Sequence, residues 1–188
     1  MNKPIFINLN HKIENLYKIQ PEIYYDVRGE TFESFDSQEY EYYTKVKFWY
    51  DTISVSQKNT LRGLHGDFVT DKLVQCLKGS IILGVLDIRK DSETFLKQEI
   101  FYLNEKNRSQ VFIPKGCLNG HYVLEDCIFS YKLSYKYEGA DRQITANFNH
   151  INWPIKIENP ILSERDSKKS YLESKFFDDL ISKHYIPR

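Results

Sequence analysis

Lys72-Leu73-Val74-Gln75-Cys76-Leu77-Lys78-Gly79-Ser80-Ile81-Ile82-Leu83-Gly84-Val85-Leu86-Asp87-Ile88-Arg89 is the stretch whose reading decides the fold class. Residues 72–77 are strand-favouring, Lys78-Gly79-Ser80 is a turn signal, and residues 81–89 form a nearly continuous apolar run. The pattern predicts a hairpin whose second strand is covered on both faces. Working outward, short strands are predicted at 4–8, 23–27, 45–50, 60–65, 97–102, 110–113, 121–124, 128–135 and 144–148. Residues 28–35 read as a strand or extended lip, 36–43 as a loop or short helix, and 54–59 as a polar turn. Pro114-Lys115-Gly116 is a turn between strands, and Trp153-Pro154 closes the strand region. Strands at this spacing with no helices between them predict an antiparallel all-β sandwich or barrel. One helix is predicted, over 174–185, where Phe176, Phe177, Leu180, Ile181 and His184 recur at helical spacing.

The 188 residues suit one domain over 1–188, large enough to bury a core. Lys plus Arg and Asp plus Glu each number 26, so the net charge is zero and there is no footprint for nucleic acid or an anionic membrane. An anionic ligand must be held by a local cluster of cations. No run approaches the roughly 18 apolar residues of a membrane span, and the opening residues lack the apolar core of a secretion signal, which predicts a cytoplasmic protein. Cys76, Cys117 and Cys127 are odd in number with no C-x-x-C spacing, so buried thiols are expected in place of a disulfide frame or zinc site. The 14 tyrosines and 12 phenylalanines favour strands and can furnish stacking surfaces.

Thr60-Leu61-Arg62-Gly63-Leu64-His65 places a cation, a glycine and an imidazole on one strand. Gly63 leaves room beside His65 for a bulky ligand. In a regular strand Arg62 points away from His65, so a shared role requires a bulge at Gly63. A metal reading of such a sheet needs more histidines than are present. His65 is followed by Gly66 and Asp67, with no H-x-H pair, and Asn119 stands where a third histidine would follow Pro114-Lys115-Gly116. An amide oxygen is a poor ligand for transition metals.

Arg62-Gly63-Leu64-His65, Lys72-Leu73-Val74, Asp87-Ile88-Arg89-Lys90-Asp91-Ser92 with Thr94-Phe95, Ile113-Pro114 with Gly116, Tyr131-Lys132 and Leu162-Ser163-Glu164-Arg165-Asp166 together resemble the motifs of the dTDP-4-dehydrorhamnose 3,5-epimerase family, in order and close to its spacing. The resemblance runs from about Asp26 to Asp166. It implies a cupin-type antiparallel jelly roll, a homodimer, no cofactor, and epimerisation of a nucleotide-linked 4-keto sugar next to its ketone. A proton alpha to a ketone is weakly acidic, so removing it requires a positioned base and a group that stabilises the enolate oxygen. By the resemblance His65 is the base, Asp166 orients it, Lys72 is the cation near the enolate and Tyr131 is the acid that reprotonates the opposite face. Arg28 and Glu33 correspond to positions near nucleotide and sugar, Tyr50, Asp51 and Thr52 to a segment touching the nucleotide, and Arg62 and Arg165 to cations around the diphosphate, which arginine grips bidentately. Tyr137, close to the acid in sequence, is either a site residue or an ordinary strand aromatic.

The chain departs from the family pattern at Asn119, where histidine is usual, with His121 two residues on and on the same strand face. The nucleotide segment begins with Tyr50 where glutamine is usual, and the loop between His65 and Lys72 is shortened. These departures cluster at the nucleotide and sugar ends of the site, which implies an altered substrate, similar to the branch acting on GDP-4-keto-heptoses for capsule. The rival readings are a nucleotide-sugar 3,4-ketoisomerase on the same fold and a non-catalytic sugar-nucleotide binding module.

Overall fold

The computed structural model describes residues 3–167. In chain order the elements are β1 (Ile5–Asn8), β2 (Tyr17–Gln20), β3 (Ile23–Asp26), β4 (Gly29–Phe32), α1 (Ser37–Thr44), β5 (Tyr50–Ser56), β6 (Leu61–Gly66), β7 (Lys72–Asp87), β8 (Gln98–Asn104), β9 (Gln110–Ile113), β10 (Cys117–Leu133), β11 (Ile144–Thr145) and α2 (Glu164–Ser167). The helix expected over 174–185 lies outside the described residues. Among those that are described, no helix is long and apolar enough to cross a membrane.

The segment 72–89 is not a hairpin. β7 is a single strand of 16 residues that pairs antiparallel with the 17 residues of β10, from Lys72 opposite Leu133 to Asp87 opposite Cys117. Gly79 marks a corner where a reversal was expected. Its φ is +75°, and a Cβ there would lie 2.2 Å from the Asp126 carbonyl oxygen. Opposite it the register of β10 slips between Val123 and Glu125 and again up to Ile128 and Phe129. The two strands expected at 121–124 and 128–135 are therefore arms of one bent strand. A Lys-Gly-Ser triplet carries the same local signal for a reversal as for a bend, and the partner strand decides between them. Gly79→Ala is expected to lower the unfolding free energy by about 2 kcal/mol or more, because it combines a left-handed φ with a backbone clash. The midpoint of a urea titration measures this, and an unchanged midpoint would show that the corner does not need glycine.

The bend turns the nine-stranded network into two layers. One arm of β7 and β10 carries β9, β2 and β1 on one side and β5 on the other; the second arm carries β8 on one side and β6 with β11 on the other. All these pairings are antiparallel, as in a cupin-type jelly roll. Val74, Cys76 and Phe129 of the first layer meet Ile81, Leu83, Val85 and Leu103 of the second in the inner core. Leu73 and Phe112 face outward beneath Ile19 and Tyr40, and Leu64, Leu86 and Leu118 lie beneath Ile144, Ile151 and Trp153. Both faces of β7 are covered, which accounts for the nearly continuous apolar run from Ile81 to Leu86. Cys76, Cys117 and Cys127 are buried free thiols.

The acidic stretch after Phe35 forms α1, capped by Asp36, whose Oδ1 accepts from the amides of Gln38 and Glu39 at 2.8 and 3.2 Å. Residues 45–50 do not form the expected strand. Lys45 ends α1 at φ 60°, and Val46 and Phe48 pack on the outer cluster without pairing. Pairing begins at Tyr50 and continues through Ser54 and Ser56, into the segment expected as a polar turn. β3 and β4 form a separate two-stranded sheet with Val27 exposed at its tip.

Candidate active site

A cavity of about 910 Å³ opens between the two layers, within the range of small-molecule sites. Its wall follows from strand alternation. Lys72 and Val74 on β7, Asn119 and His121 on one arm of β10, Phe129 and Tyr131 on the other, and Thr52, Ser54 and Ser56 on β5 all turn their side chains to it. β6 brings both Arg62 and His65 to the same cavity through a register slip. Asn119 pairs with His65 and His121 with Arg62, so β6 has one more residue than β10 across this interval. Gly63 occupies the slip at φ +119°, and a Cβ there would sit 2.5 Å from the Gly120 Cα. Only glycine fits at that point, and the bulge required of the sequence is present.

His65 and Asp166 lie 101 residues apart and meet because the chain returns beside β6. Thr60 and Ile161 form a parallel bridge, with the Leu61 amide donating to the Ile161 carbonyl at 3.0 Å. Asp166 Oδ1 then lies 2.5 Å from His65 Nε2, and its Oδ2 accepts from the Gly63 amide at 3.3 Å. The Asp166 amide is held by Ser163 Oγ at 3.1 Å. Burial pushes the Asp166 carboxyl up, yet the hydrogen bond and charge of His65, with the Gly63 amide, hold it below the ordinary carboxylate value. Burial lowers the pKa of His65 more than Asp166 raises it, with Arg165 and Lys72 adding to the lowering. The imidazole is therefore neutral at neutral pH. With Nε2–H donated to Asp166, the lone pair sits on Nδ1.

Lys72 is buried, 8 % exposed, and its Nζ donates to the Asn119 Oδ1 at 2.7 Å and the His65 carbonyl at 3.0 Å. Burial with only neutral acceptors in contact pushes it down to about 8, against the attraction of Asp67. Tyr131 is raised above the ordinary phenol value by burial, partly offset by Arg62, and so stays protonated. His121 is 4 % exposed, packs against Phe129 with centroids 4.3 Å apart and planes tilted by 31°, and is pushed down to about 3 by burial, then by Arg62 and His65. Arg62 Nε donates to Ser56 Oγ at 2.9 Å, and Arg165 Nε to Thr145 Oγ1 at 2.6 Å. Among the described residues no group of three His, Cys, Asp or Glu side chains gathers as a metal site.

Of the residues singled out in the sequence, His65, Lys72, Tyr131, Asp166, Thr52, Arg62, Asn119, His121 and Arg165 line this cavity, as does Tyr137. Arg28, Glu33, Tyr50 and Asp51 do not. Arg28 pairs with Asp26 at 2.5 Å on the exposed β3–β4 hairpin, Glu33 is exposed just beyond it, and Asp51 pairs with Lys132 at 2.5 Å on the outer side of β5. Sequence reasoning missed Ser54, Ser56 and Phe129 on the wall and Ser163 behind Asp166. The signal for the serines was the alternation of Thr52, Ser54 and Ser56 with Ile53 and Val55, which is a strand pattern.

A neutral imidazole backed by a carboxylate, with an ammonium and a phenol on the same cavity, can take a proton from a carbon acid, hold the resulting oxyanion and return a proton. Fold and site together define an isomerase on a cupin-type jelly roll. A family model described as dTDP-4-dehydrorhamnose 3,5-epimerase matches residues 10–174. The chain belongs to the dTDP-4-dehydrorhamnose 3,5-epimerase family, whose members are nucleotide-sugar epimerases. It is 36% identical over 166 residues to the Escherichia coli K12 dTDP-4-dehydrorhamnose 3,5-epimerase, covering 84% of this chain and 89% of that one. Among solved structures, dTDP-6-deoxy-D-glucose-3,5-epimerase from Legionella pneumophila, in complex with dTDP-4-keto-L-rhamnose, is similar at TM-score 0.80 and 34% identity, covering 88% of this chain and 90% of that one. The 3'-monoepimerase ChmJ from Streptomyces bikiniensis, in complex with dTDP-quinovose, is similar at TM-score 0.82 and 26% identity, covering 90% and 89%.

Proposed function

We propose that this protein inverts C3 and C5, or C3 only, of a nucleotide-linked 4-keto sugar without a cofactor, with His65 as base, Asp166 orienting it, Lys72 stabilising the enolate and Tyr131 as acid. The observation that carries the reading is the 2.5 Å contact between Asp166 and His65 on a cavity that Lys72 and Tyr131 share. The ketone supplies the electron sink. His65 approaches from the β6 layer and Tyr131 from the layer containing β5, as needed for a base and an acid serving opposite faces of one ring. Arg62 and Arg165 provide the local cations for the diphosphate that a chain of zero net charge requires. Incubation with a 4-keto sugar nucleotide in deuterated water, followed by NMR, tests the reaction. Deuterium at C3 and C5 with inverted configuration is expected, whereas movement of the ketone would mark a 3,4-ketoisomerase and no exchange a binding module.

For the substrate, a GDP-linked 4-keto-heptose or a dTDP-linked 4-keto-6-deoxyhexose of capsule or surface-polysaccharide synthesis is proposed. Asn119, on the cavity wall and departing from the family pattern, favours the first, and comparing kcat/KM for the two decides. A cytoplasmic setting accords with three free thiols. A homodimer is proposed on the exposed apolar side chains of edge strand β5 and its approach, Trp49 at 70 %, Ile53 at 51 % and Val55 at 72 %. In such a dimer Arg28 and Glu33, remote from the cavity of their own chain, are available to the cavity of the other. A single-chain mass by light scattering would refute the dimer.

The pKa shifts predict the pH profile of kcat/KM, which reports the free enzyme. His65 is lowered from 6.5, so the neutral base persists below that value and the acid limb falls under pH 6.5. Lys72 loses its charge as pH rises through about 8, so activity declines there, while the raised Tyr131 remains protonated. In Lys72→Arg the alkaline limb near 8 should disappear from whatever activity remains. If it persists unchanged, the limb belongs to another group.

A further inference from the structure

Among the described residues, four buried side-chain atoms lack a hydrogen-bonding partner, and three of them, Ser54 Oγ, His121 Nε2 and Arg165 Nη2, belong to residues lining the one cavity described above. Native proteins rarely leave such atoms unmet, because a desolvated polar atom without a partner destabilises the fold. Arg165 carries a charge and suits an anion. Ser54 and His121 form a different kind of pair, because a serine hydroxyl and an imidazole that burial keeps neutral can each donate or accept one hydrogen bond without charge.

Their placement narrows what they hold. Ser54 stands directly opposite Phe129 on the β5–β10 ladder, and the His121 ring packs against Phe129 with centroids 4.3 Å apart and planes tilted by 31°, so both side chains neighbour one aromatic ring on the cavity. The neighbouring cations are otherwise engaged or differently placed: Arg62 donates to Ser56, and Lys72 to Asn119 and the His65 carbonyl. On the β6–β10 ladder His121 stands opposite Arg62, and Asn119, two residues before it, stands opposite His65, which puts the pair between the imidazole and a cation proposed for the diphosphate, where a sugar unit would lie. Two uncharged donor-acceptors side by side match a sugar hydroxyl better than a phosphate, since a hydroxyl both gives and takes a hydrogen bond and a phosphate oxygen only takes one.

Resting on the epimerase reading above, we propose that Ser54 and His121 form a subsite for an uncharged hydroxyl of the sugar unit, on the ring or on its exocyclic arm, and so help decide which 4-keto sugar is accepted.

The test uses Ser54→Ala, His121→Phe and His121→Gln in the full chain, with circular dichroism to check folding. Two quantities are read: the affinity for the free nucleoside diphosphate, and KM and kcat/KM for a nucleotide 4-keto sugar. Ser54→Ala and His121→Phe are expected to raise KM for the sugar nucleotide about tenfold, the size of a lost uncharged hydrogen bond, while nucleoside diphosphate affinity stays within about twofold. His121→Gln, which restores a neutral polar group, should recover part of the loss. Substrates lacking the C6 hydroxyl or the C2 hydroxyl then locate the partner: the one whose KM no longer responds to Ser54→Ala lacks the group that is bound. Equal losses for nucleoside diphosphate and sugar nucleotide would assign the pair to the nucleotide and overturn the proposal, as would an unchanged KM in both folded variants. Wild-type protein showing no exchange with any 4-keto sugar would instead overturn the epimerase reading on which this one rests.

Discussion

Replacing His65 with asparagine is expected to slow deuterium exchange at both carbons flanking the ketone by about 100-fold or more, with the fold and the affinity for nucleoside diphosphate retained. The expectation follows from the placement of the base. Its Nε2 is committed to Asp166 at 2.5 Å, burial keeps it neutral, and with the proton on Nε2 the free lone pair is that of Nδ1, on a residue that lines the cavity. Asparagine offers no basic nitrogen there. Asp166→Asn should lose a comparable part of the rate by a different route, since an amide can present its N–H to Nε2 and turn the tautomer, putting the proton on Nδ1. Nucleoside diphosphate affinity should be nearly unchanged, because Asp166 is enclosed by His65, Gly63 and Ser163. Exchange measured by NMR and affinity by calorimetry separate these roles. Near-normal exchange in His65→Asn would remove it as the base, and a large affinity loss in Asp166→Asn would make that residue part of binding.

Tyr131→Phe is expected to uncouple exchange from inversion. With the phenol gone, His65 still removes a proton and returns one to the same face, so deuterium enters from solvent while the inverted product falls by about 100-fold. The geometry behind this is the two-layer wall: His65 on β6, Tyr131 across the cavity on the arm of β10 that pairs with β5. Burial holds the Tyr131 proton in place through neutral pH, as an acid requires. The ratio of exchanged to inverted sugar, read in one NMR experiment, is the measurement. An unchanged inversion rate would show that another group reaches that face, with Tyr137 and His121 as the cavity-lining candidates.

Much of this site was legible because its residues are chemically distinctive and sit in short, locally patterned segments. Arg62-Gly63-Leu64-His65 announced a base with room beside it, and the required bulge could be named from strand alternation alone. One error has a single physical cause. Residues 72–89 read as a hairpin and 121–124 with 128–135 as separate strands, because a glycine between strand-favouring runs gives the same signal for a tight turn as for a bend in a long strand. Ser54 and Ser56 were lost to a supposed turn because short hydroxyl side chains suit loops and cavity walls equally.

By itself the sequence determined the all-β class, a property of residue type and local periodicity, while the resemblance of its motifs to a family singled out His65, Asp166, Lys72 and Tyr131. Only the tertiary structure decided which of them meet. Asp166 comes to His65 across 101 residues because the returning chain bonds beside β6, and Lys72 joins them because the corner at Gly79 folds one arm of β7 over the other. The values at which these groups titrate were decided there too. Removal from water is the largest influence on His65, Lys72 and His121, and burial belongs to the packed layers, not to any stretch of chain.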